Sequence, residues 1–146
     1  MDQRIRFLAL CVIRRPSDGA LLLAEGHDPV KGETFYRPLG GEVEFDESTE
    51  DAARREIREE IGAALTGLRL LTIVENRFTY RGERGHEVVA LYEARLVDPS
   101  YYERDRFSAD EGGYAFTVCW LPLSQFLAGH NPLYPDGLLE ILRPLP

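Results

Sequence analysis

Residues 41–63 form the stretch GEVEFDESTEDAARREIREEIGA, and the rest of the chain serves as a frame for it. The second half of this stretch predicts a helix. Ser48, followed three residues later by Asp51, resembles a capping box, in which side chains satisfy the free backbone N–H groups of the first turn. Gly62 lies where a left-handed residue can end the helix. The residues between these signals form an apolar stripe with a spacing of four: Ala53, Ile57 and Ile61.

Three glutamates of this predicted helix, Glu56, Glu59 and Glu60, fall on one face, within about 100° of each other. Each pair of like charges at this spacing costs roughly a few tenths of a kcal/mol at an exposed site. The arginines of the same segment offset this repulsion only partly. Two interpretations are open: a charged surface helix, or a site for a hard divalent cation such as Mg2+ or Mn2+, which prefers carboxylate oxygens.

The spacing of single residues around the helix favours the cation site. The relevant positions are Gly41, Glu47, Arg55, Glu56, Glu59, Glu60 and Gly62. Together they resemble the Nudix box, G-x5-E-x7-R-E-U-x-E-E-x-G-U, in which U is aliphatic. All seven single-residue positions match. A chance match at typical residue frequencies has a probability on the order of one in a hundred million per start position.

Three positions depart from the family pattern, and none is an expected metal ligand. Ala63 is small where the last aliphatic residue of the box is usually bulky. Asp46 stands where many members have glycine, although aspartate tolerates left-handed backbone better than most residues. Leu39 separates Pro38 from Gly40 where many members read Pro-Gly-Gly.

Length and composition limit the class of protein. The 146 residues are the size of one domain, and we expect residues 1–146 to form a single Nudix hydrolase domain. The net charge of −8 argues against binding to a nucleic acid polymer or a membrane surface. The absence of an 18-residue apolar run and of a signal-like N-terminus makes a cytoplasmic location the default expectation. The oligomeric state stays open, a homodimer being one option.

The order of predicted elements is mixed α/β and agrees with the α/β/α sandwich with a mixed sheet that the Nudix resemblance implies. We predict that residues 4–14 form a central strand and that residues 20–24 pair back on it as a hairpin. Polar residues 25–33 and 98–113 are predicted to be loops, the second one mobile. The remaining predicted strands are 34–39, 65–80, 86–97 and 114–121, and two short helices are predicted at 123–128 and 137–142.

The Nudix resemblance implies hydrolysis of a nucleoside diphosphate linked to another moiety, with Mg2+ (or Mn2+) as cofactor. It makes Glu56, Glu59 and Glu60 the metal ligands, with the Gly40 carbonyl as an additional one. The metal neutralises phosphate oxygens and acidifies a water molecule, and Glu59 or Glu60 could hold the attacking water. Arg55 is expected to orient a box glutamate such as Glu47.

Three candidate site residues lie outside the box. Glu87 is our candidate for the general base, and a solvated strand carboxylate is the alternative. Arg37 could contact a phosphate or be an ordinary surface arginine. Tyr80, 17 residues beyond the box, resembles the tyrosine typical of dinucleoside polyphosphate hydrolases, where an aromatic ring stacks on a base. Phe78 shares its strand face, so both rings could instead be core residues.

Three functions remain open at this point. The first is hydrolysis of a nucleotide or dinucleoside polyphosphate, and it is favoured because no box residue is lost. The second is a catalytically silent binding module that senses a nucleotide. The third is hydrolysis of a non-nucleotide pyrophosphate, such as an isoprenoid or inositol pyrophosphate. Each requires a small-molecule partner.

Overall fold

The computed structural model describes residues 3–143. Its strands are β1 (Arg6–Ile13), β2 (Leu21–Asp28), β3 (Glu33–Glu42), β4 (Leu65–Tyr80), β5 (Glu83–Leu96), β6 (Arg106–Glu111) and β7 (Tyr114–Leu121). Its α-helices are α1 (Thr49–Ile61), α2 (Leu123–Leu127) and α3 (Leu138–Leu142), and a 3-10 helix spans Pro99–Glu103. No helix in this part of the chain has the length and apolar character needed to cross a membrane.

The strands form one mixed sheet in the order β4-β5-β1-β3-β2-β7-β6. β1 and β5 are parallel, and the other neighbouring pairs are antiparallel. Helix α1 packs on one face, whereas α2 and α3 contribute to the core on the other face. The predicted α/β/α sandwich with a mixed sheet is therefore confirmed.

Strand β1 lies in the interior of the sheet, between β5 and β3, and is apolar on both faces. Residues 8–13 are all buried, and successive side chains of a strand point to opposite faces. The core beside α1 accordingly receives Ala9, Cys11 and Ile13. The opposite core receives Leu8, Leu10 and Val12. This continuous apolar run is typical of a strand covered by helices on both sides.

The predicted ends of helix α1 are confirmed. Ser48 Oγ accepts a hydrogen bond from the Asp51 backbone N–H at 3.0 Å. Gly62 adopts a left-handed φ of 73° and donates its N–H to the Arg58 carbonyl at 2.9 Å. Asp46 also has a positive φ, 67°, so aspartate takes the turn conformation for which many family members use glycine.

Two parts of the predicted topology are wrong. Residues 20–24 do not form a hairpin with β1, because β3 lies between β1 and β2 and pairs with both. A single bridge, Arg14 to Leu21, joins the two segments. Strand β2 continues through polar residues to Asp28, so the connecting turn is short, residues 29–32. Backbone pairing with β3 stabilises these residues regardless of their polarity.

The segment 98–113 is not a loop throughout. It contains the 3-10 helix and β6, which pairs with β7 at the edge of the sheet. An edge strand has few neighbours, and in β6 only Ala109 is buried. Because β6 contains few apolar residues, the sequence pattern does not predict a strand there.

The cap at Ser48 provides a test of the helix that carries the site. Ser48→Ala should lower the free energy of unfolding by about 1 kcal/mol, because the Asp51 N–H loses its acceptor. Urea denaturation measures this difference. Ser108→Ala is the control, since Ser108 is exposed in β6 and makes no side-chain hydrogen bond among the residues described. Equal stability of the two variants would contradict the capping role.

Candidate active site

The site forms where the end of β3 packs against the C-terminal half of α1. Gly40 N–H donates to Glu60 Oε1 at 3.1 Å, which joins the strand directly to the helix. A Cβ atom at Gly41 would overlap the carboxylate of Glu56. Only glycine therefore allows the strand and the glutamates to approach this closely.

Arg55 connects the loop before the helix with two of the helix glutamates. Its Nε and Nη2 donate to the two carboxylate oxygens of Glu47 at 2.7 and 2.9 Å. Nη2 also donates to the Glu42 carbonyl at 3.0 Å. Nη1 donates to Glu56 at 2.9 Å and to Glu59 at 3.2 Å. The contact with Glu47, followed by that with Glu56, raises the pKa of Arg55 even though burial acts to lower it. Arg55 is thus positioned to orient carboxylates.

Glu56 and Glu60 are buried carboxylates, 9% and 6% exposed. Burial raises the pKa of Glu60 to about 9, and the nearby charges of Glu111 and Glu56 add to the effect. The Gly40 N–H and the charge of Arg37 act in the opposite direction. Burial likewise raises the pKa of Glu56, although Arg55 opposes the shift. Negative charge is therefore costly at this point of the structure.

The donor chemistry of these residues fits a divalent cation. The site concentrates carboxylate oxygens, the donors that Mg2+ and Mn2+ prefer, and a cation would remove their mutual repulsion. Within residues 3–143, no three Asp, Glu, His or Cys side chains converge as a ready-made metal cluster. In this arrangement Arg55 holds Glu56 and Glu59, while Glu60 accepts from Gly40. The ligand assignment for Glu56, Glu59, Glu60 and Gly40 stays a prediction.

A cavity of about 670 Å3 is lined by Glu60 together with Gly40 and Gly41 at the end of β3. Its lining includes charged residues, among them Arg37, Glu60, Glu87 and Glu111. It also includes an aromatic wall, which we define as Phe35, Tyr80 and Tyr134. Phe35 contacts both tyrosines edge to face, with ring centroids 5.9 Å from Tyr80 and 5.5 Å from Tyr134. The cavity therefore combines groups that suit phosphates and metal with a surface that suits a flat ring.

Glu87 and Arg37 both line this cavity. Glu87 is only 1% exposed, so the alternative of a solvated carboxylate is wrong. Its two oxygens lie 3.3 Å from Asn76 Nδ2 and 3.5 Å from Arg6 Nη1. Arg37 is partly exposed, and its side chain makes no hydrogen bond or ion pair with the residues that the structure describes. Its guanidinium is therefore available to an anion.

Tyr80 and Phe78 also line the cavity, and neither belongs to the two buried clusters formed by residues 3–143. The Tyr80 hydroxyl reaches the His27 carbonyl at 3.4 Å. Phe78 lies against Gly85, where a Cβ atom would overlap its ring. The location favours a pocket role for Tyr80 over the core alternative, and its part in substrate binding stays a prediction.

The comparison with known proteins agrees with this geometry. The family model described as NUDIX domain matches residues 5–140. The chain belongs to the Nudix family. The matched range covers the whole sheet, α1, α2 and the first residues of α3.

Solved Nudix structures show the same fold. The MutT Nudix hydrolase from Burkholderia pseudomallei is 28% identical, with a TM-score of 0.54 and coverage of 84% of this chain and 86% of that chain. The Nudix hydrolase from Nitrosomonas europaea is 17% identical, with a TM-score of 0.65 and coverage of 95% and 86%. The MutT protein from Methanosarcina mazei Go1 is 16% identical, with a TM-score of 0.62 and coverage of 97% and 92%. The family assignment supports hydrolase activity of the Nudix type on a small molecule.

Glu111 and Asn76 are among the residues of this Nudix site that the sequence analysis missed. Glu111 lines the cavity and is close enough to Glu60 to raise its pKa. It lies at the end of β6, inside the segment predicted to be a loop. Asn76 lies in the cavity wall and donates to Glu87. Asn76 pairs with Glu87 across the β4–β5 hairpin. The sequence could have pointed to Asn76 only if the register of this hairpin had been known.

The raised pKa of Glu60 predicts how stability depends on pH. The folded protein keeps the proton of Glu60 up to about pH 9, whereas the unfolded chain releases it near pH 4.5. The unfolded state therefore binds fewer protons in this window, and the contribution of Glu60 to stability falls as the pH rises from 4.5 to about 9. Urea denaturation in chelator, for wild type and Glu60→Gln, isolates this contribution as the difference between the two profiles.

Glu50→Gln is the control, because Glu50 is an exposed residue of the same helix, paired with Arg54. Its profile should run parallel to that of the wild type. A Glu60→Gln profile that is also parallel to the wild type would show that Glu60 titrates normally.

Proposed function

We propose that the chain hydrolyses a phosphoanhydride bond in a nucleoside diphosphate linked to another moiety, a nucleotide or dinucleoside polyphosphate, with Mg2+ or Mn2+ as cofactor. The observation that supports this most is the buried Glu60 carboxylate in the lining of the cavity with the aromatic wall, with the buried Glu56 carboxylate against Gly41 of the same lining. We also propose that residues 1–146 constitute one Nudix hydrolase domain. A cytoplasmic location, and a homodimer as one oligomeric option, stay predictions.

The metal would be held by Glu56, Glu59 and Glu60, with the Gly40 carbonyl as an additional donor. When bound, the cation neutralises phosphate oxygens and acidifies water. The protein contributes the arrangement of the ligands. Arg55 holds Glu56 and Glu59, and the Gly40 N–H holds Glu60, whose carboxylate lines the cavity.

Glu87 is the proposed general base. It lies in the cavity wall, and Asn76 and Arg6 restrain its two oxygens. In the proposed reaction Glu87 accepts a proton from water, the water oxygen bonds to phosphorus, and the phosphoanhydride P–O bond breaks toward the leaving phosphate. Glu111 is a second candidate base, because it lines the same cavity and influences Glu60.

Arg37 and Tyr80 are the proposed substrate contacts. Arg37 provides a positive charge in the cavity, and its side chain has no hydrogen-bond or ion-pair partner among the residues described, which suits a substrate phosphate. Tyr80 provides a ring held edge to face against Phe35. Stacking of a base on such a ring contributes about 1–3 kcal/mol in single-stranded nucleic-acid binding, a comparable contact.

The two alternative functions, a nucleotide sensor and a hydrolase of non-nucleotide pyrophosphates, would use the same cavity. One experiment distinguishes both from the proposed function. Nucleoside diphosphate derivatives and isoprenoid and inositol pyrophosphates are incubated with Mg2+ or Mn2+, and released phosphate and nucleotide are measured. Metal-dependent turnover of nucleotides supports the proposal. Saturable binding without turnover would instead identify a sensor, and turnover of the other pyrophosphates alone would identify a non-nucleotide hydrolase.

Removal of a helix glutamate should abolish most of the activity. Glu59→Gln and Glu60→Gln are each expected to lower kcat about a hundredfold or more, because a metal ligand or water-orienting group is lost. Excess chelator should abolish wild-type activity for the same reason. Steady-state kinetics measures both effects, with Glu50→Gln as a folded control that keeps its activity. Full activity in either site variant would remove that residue from the assignment.

Loss of the Tyr80 ring should weaken substrate binding. Tyr80→Ala is expected to raise KM about tenfold or more, because a stacking surface is lost. Stability should fall by less than the approximately 3–5 kcal/mol of a fully buried aromatic, since Tyr80 is only partly buried. Tyr80→Phe keeps the ring and should keep KM near the wild-type value. An unchanged KM in Tyr80→Ala would exclude the stacking role.

A further inference from the structure

Asp28 is a buried carboxylate that contacts two separate turns of the chain. It is the last residue of β2 and is only 1% exposed. Its Oδ1 accepts from the backbone N–H groups of Val30 at 2.9 Å and Lys31 at 3.3 Å, both in the β2–β3 turn. Its Oδ2 accepts from the backbone N–H of Arg81 at 3.0 Å, in the turn between β4 and β5. Each carboxylate oxygen therefore serves a different hairpin.

No strand pairing joins these two hairpins directly in residues 3–143, because β1 separates β5 from β3 in the sheet. Their tips nevertheless meet. Besides the Asp28 contact, the Tyr80 hydroxyl reaches the His27 carbonyl at 3.4 Å, and the Tyr80 ring contacts Phe35. Both hairpins contribute to the cavity, Phe35 from one and Tyr80 from the other. The contact between Phe35 and Tyr80 therefore joins two hairpins that share no strand pairing.

The chemistry of Asp28 suits this bridging position. A carboxylate has two acceptor oxygens, whereas an amide has one and replaces the other with a donor. Burial acts to raise the pKa of Asp28, but the N–H groups of Arg81, Lys31 and Val30 outweigh it, and the pKa is lowered. Hydrogen bonds to a charged acceptor are stronger than neutral ones.

The turn that carries the Arg81 N–H is regular. Arg81 and Gly82 both have positive φ, 52° and 80°, as in the two-residue turns that suit antiparallel hairpins. The direction of this N–H is therefore set by the hairpin itself. Asp28 meets a donor that is already in place.

We propose that Asp28 is a positioning residue that joins the tips of the two hairpins and thereby holds Phe35 and Tyr80 together as one wall of the substrate cavity. The consequence for substrate binding rests on the proposed function. Asp28 makes no hydrogen bond to the glutamates of α1 or to Glu87. Its loss should consequently affect KM and leave kcat nearly unchanged.

Hydrogen exchange of the Arg81 amide tests the bridge without any substrate. In the full-length Asp28→Asn variant, the amide group keeps the size of the side chain but cannot accept from both hairpins, so exchange at Arg81 should become about tenfold faster or more. Asp18→Asn is the matched control. Asp18 also accepts a backbone N–H in a turn, from Ala20 at 3.0 Å, but it does not line the cavity. In the Asp18→Asn variant, the Arg81 amide should exchange at the wild-type rate.

Kinetics with a dinucleoside tetraphosphate and Mg2+ tests the consequence for the cavity. Asp28→Asn should raise KM about tenfold with kcat within about twofold of the wild type, while Asp18→Asn should change neither. If Asp28→Asn does not fold, Asp28→Ser serves instead, because serine retains one acceptor for its own turn and is too short for Arg81. Unchanged Arg81 exchange in the folded variant would overturn the bridge. Faster exchange with an unchanged KM would overturn the positioning role, and faster exchange without turnover by the wild type would instead count against the proposed function.

Discussion

The guanidinium of Arg55 is the contact on which the arrangement of the site depends. It binds both oxygens of Glu47 in the loop, the carbonyl of Glu42 at the end of β3, and the carboxylates of Glu56 and Glu59 on α1. A lysine could not make these contacts at once, because its ammonium is a point charge without the planar fork of arginine. One side chain therefore holds the strand end, the loop and the helix in register.

The same contact also limits the cost of burying negative charge. Arg55 opposes the effect of burial on the pKa of Glu56. Glu60 is slightly more buried, and the Gly40 N–H and the charge of Arg37 do not outweigh its burial and the charges of Glu111 and Glu56. The structure thus leaves one carboxylate poorly compensated beside the cavity. A buried carboxylate with a raised pKa is a candidate functional group, because a bound cation would stabilise its negative charge.

On the aromatic side of the cavity, two glycines leave room for the rings of Phe35 and Phe78. Phe35 lies over Gly26, its partner across β2 and β3, and Phe78 lies over Gly85, its partner across β4 and β5. In both pairs a Cβ atom on the glycine would overlap the ring. The two hairpins thus position their aromatic rings by the same device. Asp28 then joins the tips, so the cavity wall depends on local pairing within each hairpin and on one contact between them.

The sequence by itself determined the helix α1, its caps and the identity of the box residues. These features depend on residues close together in the chain, such as Ser48 with Asp51, and on a spacing that is independent of the rest of the fold. The apolar run of residues 4–14 likewise indicated a central strand. Local patterns of this kind are legible without tertiary contacts.

Only the tertiary structure decided the position of β3 between β1 and β2, the pairing of β6, and the convergence of Glu111, Asn76 and Asp28 on the cavity. Each depends on backbone pairing or contacts between distant segments. A polar residue such as Asp28 looks like an ordinary turn former in the sequence. Its second oxygen meets Arg81, 53 residues away, and no local pattern contains that contact, because it exists only when two hairpins fold against each other.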